Sequence, residues 1–162
     1  MDKIEYSVEN EQALDLITPL WEKLREYHKS RSPRFKQHYT DISFGDREKE
    51  LLRKSAGGAM RLDLARDGAG GIIIGYCLST ITDYGIGEID SIFIEQEYRR
   101  KGIGDALMQR AMRWLETCPA EKITVAIGAG NEEVFAFYER YGFYPRQTIL
   151  EQIKAKKKRK KY

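Results

Sequence analysis

The stretch from Glu88 to Leu107 constrains the fold of this 162-residue chain more than any other part. The apolar run Ile92–Ile94 has the composition of a strand. After a short turn, apolar residues recur at helical spacing, namely Ile103, Leu107, Ala111 and Trp114. The turn itself reads Arg-Arg-Lys-Gly-Ile-Gly. Because amides at a helix start attract anions and glycines let a ligand approach the backbone, the sequence predicts a site for a phosphate-bearing ligand.

Two common nucleotide-binding motifs are absent from this turn. The third glycine of a dinucleotide-binding fingerprint would fall at Leu107, and no Gly-Lys-Ser/Thr follows, as a P-loop would require. A helix N-terminus with solvated charges is therefore the alternative interpretation of the turn taken alone.

Further motifs carry a family resemblance. Arg99-x-x-Gly102-x-Gly104, directly after a strand, is similar to the turn between the fourth strand and the following helix in the GCN5-related N-acetyltransferase (GNAT) superfamily. One strand later come Asn131 and then Phe-Ala-Phe-Tyr138-Glu-Arg-Tyr-Gly-Phe, which resembles that family's Asn…Tyr-(x)3-Gly-Phe ending. The resemblance covers roughly residues 61–145.

The resemblance implies a fold of the α/β (α+β) class. We expect a single GNAT-like domain over residues 1–150 and a basic tail over residues 151–162. The sheet is expected to be mixed and mostly antiparallel, with six to seven strands, helices on both faces, and the fourth and fifth strands splayed apart.

Periodicity places the individual elements along the chain. Strands are predicted at 3–8, 59–66, 72–82, 88–94, 122–127 and 143–149, the last marked by Pro145 as an edge or bulge. Helices are predicted after Asn10, over 48–54, from Ile103, and after Asn131, whose side chain caps the helix that ends near Gly142. Pro19 either kinks the first helix or starts a second segment capped by Thr18. Residues 31–45 are predicted to be a polar connection.

The resemblance implies acetyl-CoA as co-substrate and no metal. Backbone amides of the turn would bind its pyrophosphate, with Arg99 and its neighbours reaching the other phosphate. The residues concerned are Arg99, Arg100, Lys101, Gly102, Ile103, Gly104 and Asp105. The pantetheine arm would pair with the backbone of Ile92, Phe93 and Ile94 like an added strand, and Asn131 would contact the pantetheine or ADP portion.

The resemblance also assigns catalytic and acceptor-binding roles. Tyr138 would stabilise the departing thiolate, although its place on an apolar helix stripe equally suits a core residue. Glu88 would accept a proton from the amine. The alternative interpretation of Glu88 is a carboxylate without a catalytic role that faces solvent or an arginine. Asp90 is a weaker candidate for binding a cationic acceptor. Phe35, His38 and Tyr39 can line the acceptor wall or simply pack on the sheet. With no Cys-His or Ser-His-Asp pair evident, direct attack in a ternary complex is expected.

Charge and composition limit the partners. The net charge is +3, but seven cations between Lys154 and Lys161 leave the remainder of the chain at −4. One alternative function is a nucleic-acid- or ribosome-associated binding protein, and its support is this tail alone. The other alternative is a non-catalytic CoA-binding GNAT fold. The expected acceptor is a small-molecule or peptide amine, and a homodimer is left open. With no apolar run near about 20 residues and two unpaired cysteines, we expect a cytoplasmic protein without membrane contact.

Overall fold

Five strands form one sheet in the computed structural model, which describes residues 3–68 and 70–154. The strands follow one another in the sheet as β1 Ile4–Glu9, β2 Ala59–Asp67, β3 Ile73–Ile81, β4 Ile86–Ile94 and β5 Lys122–Val125. The first four pair antiparallel, and β5 pairs parallel to β4. The mixed, mostly antiparallel sheet is confirmed, but six to seven strands was wrong for the described residues.

The chain divides into two units, Met1–Glu132 and Glu133–Tyr162, and the sheet belongs to the first. In the second unit the predicted strand at 143–149 is wrong, because residues 143–154 have irregular backbone. Pro145 has no N–H to donate to a ladder, and Tyr144 and Ile149 are 72% and 80% exposed. Of the predicted basic tail, 151–162, the part that follows Lys154 lies outside the described residues.

Five α-helices and three short 3-10 helices complete the described structure. The α-helices are α1 Thr18–Arg31, α2 Lys36–Asp41, α3 Phe44–Ser55, α4 Ile103–Thr117 and α5 Phe135–Glu139, and the 3-10 helices are Glu11–Ile17, Gln96–Tyr98 and Glu132–Val134. Pro19 starts a second segment, since it lies in the first turn of α1, where a missing N–H costs no hydrogen bond. The predicted cap at Thr18 was wrong, because Ile17 is the N-cap of α1 and makes no side-chain hydrogen bond. Across residues 3–68 and 70–154, no helix combines the length and apolar character needed to cross a bilayer.

The predicted connection at 31–45 was wrong in part, because it contains α2 and the start of α3. A capping box starts α3 at Phe44 rather than Glu48. Ser43 Oγ accepts from the Asp46 amide at 3.1 Å, and the Asp46 carboxylate accepts from the Ser43 amide at 3.1 Å. The sequence contains the corresponding Ser-x-x-Asp signal.

Helices cover both faces of the sheet, as expected. One core cluster joins α1 and α3 to the sheet, and includes Leu20, Trp21, Leu51, Leu62, Leu78 and Phe93. Helix α4 also packs on the sheet, and buries Ile103, Leu107, Met108, Ala111 and Leu115. The helical spacing predicted this stripe except at its end, where Leu115 is buried and Trp114 is partly exposed.

Strand β4 is irregular at its centre. Leu78 pairs with Ser91 and Ser79 with Ile89, so Asp90 is an extra, bulged residue. Pairing with β5 ends at the same place, with Ile89 opposite Val125. Within the described residues, the half of β4 that follows Ile89 therefore pairs only with β3. This is the arrangement expected where the fourth and fifth strands part.

Truncating the fully buried Leu107 to alanine is expected to lower the free energy of unfolding by about 3 kcal/mol, because a cavity replaces its contacts under α4. Leu16→Ala is the matched control: Leu16 is 41% exposed, and we expect a loss below about 1 kcal/mol. Equilibrium urea unfolding measures both. Equal losses would contradict the packing of α4 described above.

Candidate active site

The turn before α4 has the backbone conformation of an anion site. Arg100 and Gly102 both lie in the left-handed region, with φ of 60° and 78°. Gly102 is the residue before α4 and supplies no side-chain acceptor to the first-turn amides. A β-carbon at Gly102 would meet nothing within 4 Å, so glycine is favoured there by conformation rather than by space. Such a turn at a helix N-terminus directs backbone N–H groups towards a bound anion.

Side chains tie this turn to the sheet. Arg99 Nε donates to the Ile94 carbonyl at 2.9 Å, and its guanidinium lies 5.5 Å from the centre of the Phe93 ring. Lys101 Nζ lies 5.1 Å from the Tyr98 ring centre, and the Tyr98 hydroxyl donates to Asp67 at 2.6 Å. Arg99 therefore positions the turn, and the Ile94 carbonyl, predicted to pair with a ligand, already has a protein donor.

Glu88 and Asp90 are brought together by a lysine from α3. Lys54 Nζ donates to Glu88 at 2.9 Å and also contacts Asp90. The Asp90 side chain is fully buried, and it accepts from the Thr80 hydroxyl at 2.6 Å. Burial raises the pKa of Asp90, and Lys54 and Thr80 oppose the rise. The two carboxylates share one face of β4 as predicted, but their lysine partner was not predicted.

A cavity of about 320 Å³ opens beside this pair. It is lined by α1, α2, α3 and β4 through Trp21, Leu24, Arg25, His28, His38, Tyr39, Ile42, Arg47, Glu50, Asp90 and Ser91. Tyr39 and Asp90 line it, whereas Phe35 does not. Phe35 precedes α2, and it is His38 and Tyr39, about one turn later, that line the cavity. His28 stacks on Tyr39 with ring centres 5.9 Å apart, and burial lowers the pKa of His28.

The α1 side of the cavity was missed by the sequence predictions. Trp21, Leu24, Arg25 and His28 follow one another at the spacing of one helical face. No site residue was predicted on this helix, although Arg25 and His28 lie beside its buried Leu20 and Trp21. A mixed aromatic and basic stripe beside a buried one was the available signal.

Two further predicted site residues, Asn131 and Tyr138, lie at buried positions. Asn131, at the end of the first unit, is 8% exposed, and its Oδ1 accepts from the Tyr27 hydroxyl at 3.2 Å. Tyr138, in the second unit, is also 8% exposed, with its ring centre 5.2 Å from Phe137 and 6.1 Å from Phe143.

Helix α5, which carries Tyr138, ends at Glu139, and the hydrogen-bonded turn that follows it stops at Gly142, near the predicted end, with a φ of 82°. The Gly142 amide donates to the Glu139 carbonyl at 3.0 Å and the Phe143 amide to the Tyr138 carbonyl at 3.2 Å. These are the two hydrogen bonds of a Schellman motif.

Comparison with known proteins bears on the identity of this site. The Acetyltransferase (GNAT) family model matches residues 20–143. A curated relative, an uncharacterized N-acetyltransferase of Methanocaldococcus jannaschii, is 28% identical over 72 residues. That match covers 44% of this chain and 32% of the relative, so the chain spans about a third of the length of this relative.

Solved structures show the same fold. A Pyrococcus furiosus protein assigned as an acetyl transferase is 26% identical with a TM-score of 0.63, over 92% of this chain and 99% of that chain. The aminoglycoside N-acetyltransferase AAC(6')-Iy, solved with the bisubstrate analog CoA-S-monomethyl-acetylneamine, is 16% identical with a TM-score of 0.60, over 95% and 99%. Because the family model covers more than half of the sequence and these structures share its architecture, the chain belongs to the GNAT family of acetyltransferases.

Proposed function

We propose that this protein is an N-acetyltransferase that moves the acetyl group of acetyl-CoA to a primary amine by direct attack in a ternary complex. The observation that carries the proposal is the left-handed turn at Arg100 and Gly102, which precedes α4 and follows the half of β4 that lacks a β5 partner, with one short 3-10 helix between them. The CoA-based analog bound by AAC(6')-Iy supports the same donor for this fold.

Acetyl-CoA fits the residues present on two counts. The turn offers main-chain N–H groups at the positive end of a helix dipole, which suits a pyrophosphate. Ile92 and Phe93 lie on β4 beyond its last β5 partner, where an extended pantetheine arm can add as a short strand. When bound, the thioester supplies an activated acetyl group, and the protein's residues supply position and proton transfer.

Glu88 and Tyr138 divide the proton transfer in this proposal. A lysine-like amine has a pKa of about 10.4, so fewer than about one molecule in a thousand is neutral at pH 7. Glu88 accepts the amine proton, directly or through water, while Lys54 holds its carboxylate in place at 2.9 Å. The nitrogen forms a bond to the acetyl carbon, the carbon–sulfur bond breaks, and the Tyr138 hydroxyl donates a hydrogen bond to the leaving thiolate.

The two alternative functions given in the sequence analysis make different predictions. A CoA-binding protein without catalysis would bind acetyl-CoA and release no CoA with any amine. Binding to nucleic acid through the tail concerns residues largely outside the described part of the chain, and it stays a prediction. Deleting residues 154–162 tests it, because acetyl transfer should persist while any nucleic-acid affinity falls.

Tyr138→Phe is expected to lower kcat for CoA release by about 100-fold, because the leaving thiolate loses its hydrogen-bond donor. The KM for acetyl-CoA should change little. Steady-state assay of free thiol measures both constants. Tyr144→Phe is the matched control, since Tyr144 is 72% exposed and outside the proposed site. Full kcat in Tyr138→Phe would remove Tyr138 from the mechanism.

Gly104→Glu is expected to raise the Kd for acetyl-CoA by at least about 10-fold, because it places a carboxylate in the first turn of α4 where phosphate would bind. Isothermal titration calorimetry gives the constant. Gln109→Glu adds the same charge at an exposed position further along α4 and should leave the Kd near that of the parent protein. An unchanged Kd in Gly104→Glu would place the phosphates elsewhere.

Lys54→Met is expected to lower the free energy of unfolding by about 3 kcal/mol near neutral pH, because the buried Asp90 carboxylate loses its nearest cation. The folded-state pKa of Asp90, already raised by burial, then rises further. A carboxyl group whose pKa is higher in the folded than in the unfolded state lowers the free energy of unfolding when the pH is above its folded-state pKa. This loss disappears as the pH falls to the pKa of the unfolded state.

The deficit of Lys54→Met should therefore shrink between about pH 7 and about pH 4. Urea unfolding at both pH values measures it. Lys49→Met, on an exposed position of the same helix, is the control and should show a small deficit at either pH. A deficit that does not change with pH would show that Asp90 is not the group left uncompensated.

A further inference from the structure

We infer that the cavity beside Asp90 selects acceptors that carry a carbonyl or carboxylate oxygen next to the amine, as amino acids and peptide N-termini do, and excludes polycationic amines. This inference rests on the proposed function and names the substrate class of its acceptor site. The cavity, at about 320 Å³, lies at the small end of the usual range for small-molecule sites, about 300–1,000 Å³.

The first step concerns the carboxylates of the cavity. Only Glu50 and Asp90 among the lining residues are acidic, and both are already paired. Arg47 NH1 lies 2.9 Å from Glu50, and Arg47 NH2 lies 3.6 Å from Asp90, which Lys54 and Thr80 also bind. A polycation entering this cavity would lose its hydration without gaining an unpaired carboxylate, which is unfavourable.

The second step concerns donors that lack an acceptor. Arg25 Nε and Ser91 Oγ are buried, line the cavity, and have no hydrogen-bond partner among the described residues. The rest of the Arg25 guanidinium is engaged, with NH1 donating to the Ile42 carbonyl at 2.9 Å and NH2 3.5 Å from Glu26. An unsatisfied buried donor is unfavourable, so a ligand oxygen that accepts a hydrogen bond from it is favoured.

Ser91 fixes where that oxygen lies relative to the chemistry. It directly follows the bulged Asp90 and precedes Ile92, where the pantetheine arm is proposed to pair. Burial raises the pKa of Tyr76, and the nearby Ser91 hydroxyl offsets part of the rise, but the two hydroxyls do not have the geometry of a hydrogen bond. Ser91 therefore retains a hydroxyl proton for an acceptor oxygen close to the proposed thioester.

The remaining walls are suited to an uncharged side chain. Trp21, Leu24 and Ile42 are apolar, and the stacked His28 and Tyr39 rings complete the lining. An amine with a neighbouring carbonyl and an aromatic or aliphatic side chain would satisfy both the orphaned donors and these walls.

The test compares amines that differ in one group. L-phenylalaninamide and phenethylamine share the amine and the ring, and differ in the carboxamide. With acetyl-CoA, and with each rate divided by the fraction of amine that is neutral, because an α-amine has a lower pKa than an alkylamine, we expect kcat/KM for L-phenylalaninamide to exceed that for phenethylamine by at least about 10-fold, as expected when buried donors lose their acceptor. Spermidine and neamine should give background rates. Free L-phenylalanine and a Phe-Ala dipeptide in the same panel distinguish an amino acid from a peptide N-terminus as the source of the oxygen.

Two variants assign the preference to the orphaned donors. Ser91→Ala and Arg25→Lys should each narrow the ratio between L-phenylalaninamide and phenethylamine by at least about 5-fold, since each removes one donor. Ser30→Ala, at an exposed position of α1, is the matched control and should keep the ratio of the parent protein. Equal turnover of the two amines, or faster turnover of spermidine or neamine, would overturn the inference.

A binding measurement distinguishes a failure of this inference from a failure of the proposed function. Tryptophan fluorescence, reporting on Trp21 in the cavity wall, is titrated with each amine in the presence of CoA. If no amine releases CoA from acetyl-CoA but L-phenylalaninamide still binds at least about 10-fold tighter than phenethylamine, the proposed reaction fails and the selectivity stands. If the two amines bind equally or neither binds, the selectivity is refuted whatever the result of the activity assay.

Discussion

Strand β4 is paired on both edges for only its first half, and the rest of the site depends on this. Up to Ile89 it lies between β3 and β5, and from the bulge at Asp90 onwards its only strand partner in the described part of the chain is β3. Unpaired backbone N–H and C=O groups on a strand edge offer a template for another extended chain. The same break in pairing turns Asp90 and Ser91 towards α1 and α3, where the cavity opens. The proposed donor slot and the proposed acceptor cavity thus begin at one backbone irregularity.

Charge pairing at this irregularity determines what the site can accept. Asp90 is fully buried, and a buried carboxylate is stable only when it is paired and hydrogen-bonded. Lys54, Arg47 and Thr80 provide this, and Lys54 also orients Glu88. Asp90, which the sequence offered for binding a cationic acceptor, is therefore already paired with groups of the protein itself. The unsatisfied groups at the cavity wall are two hydrogen-bond donors, Arg25 Nε and Ser91 Oγ. They favour an acetyl acceptor that carries a carbonyl or carboxylate oxygen.

Local signals in the sequence were sufficient for the elements around the turn. Ile92–Ile94 and the stripe from Ile103 predicted β4 and α4, and the two glycines predicted a turn whose φ at Gly102 is 78°. Predictions failed where structure depends on distant partners. Residues 143–149 were predicted as a strand, but a local prediction does not provide a neighbouring strand, and Pro145 removes one donor. Lys54 was not predicted as the partner of Glu88 and Asp90, since 34 and 36 residues separate them and only the packing of α3 joins them.

Two buried carboxylates in the sheet show how structural and functional polar groups differ. Asp63, on β2, is satisfied by Arg61 Nε and NH2 at 2.7 and 2.9 Å and by Arg110 Nε at 3.0 Å. Cys77, in the same sheet, is a second polar group with a structural role, because burial raises the pKa of its thiol to about 12 and so leaves it inert. Around Asp90 the carboxylate is equally well paired, yet two of the five buried side-chain polar atoms that lack a partner in the described residues line the adjoining cavity. Native proteins satisfy nearly all such atoms, so two orphans beside one cavity indicate a ligand rather than a structural role.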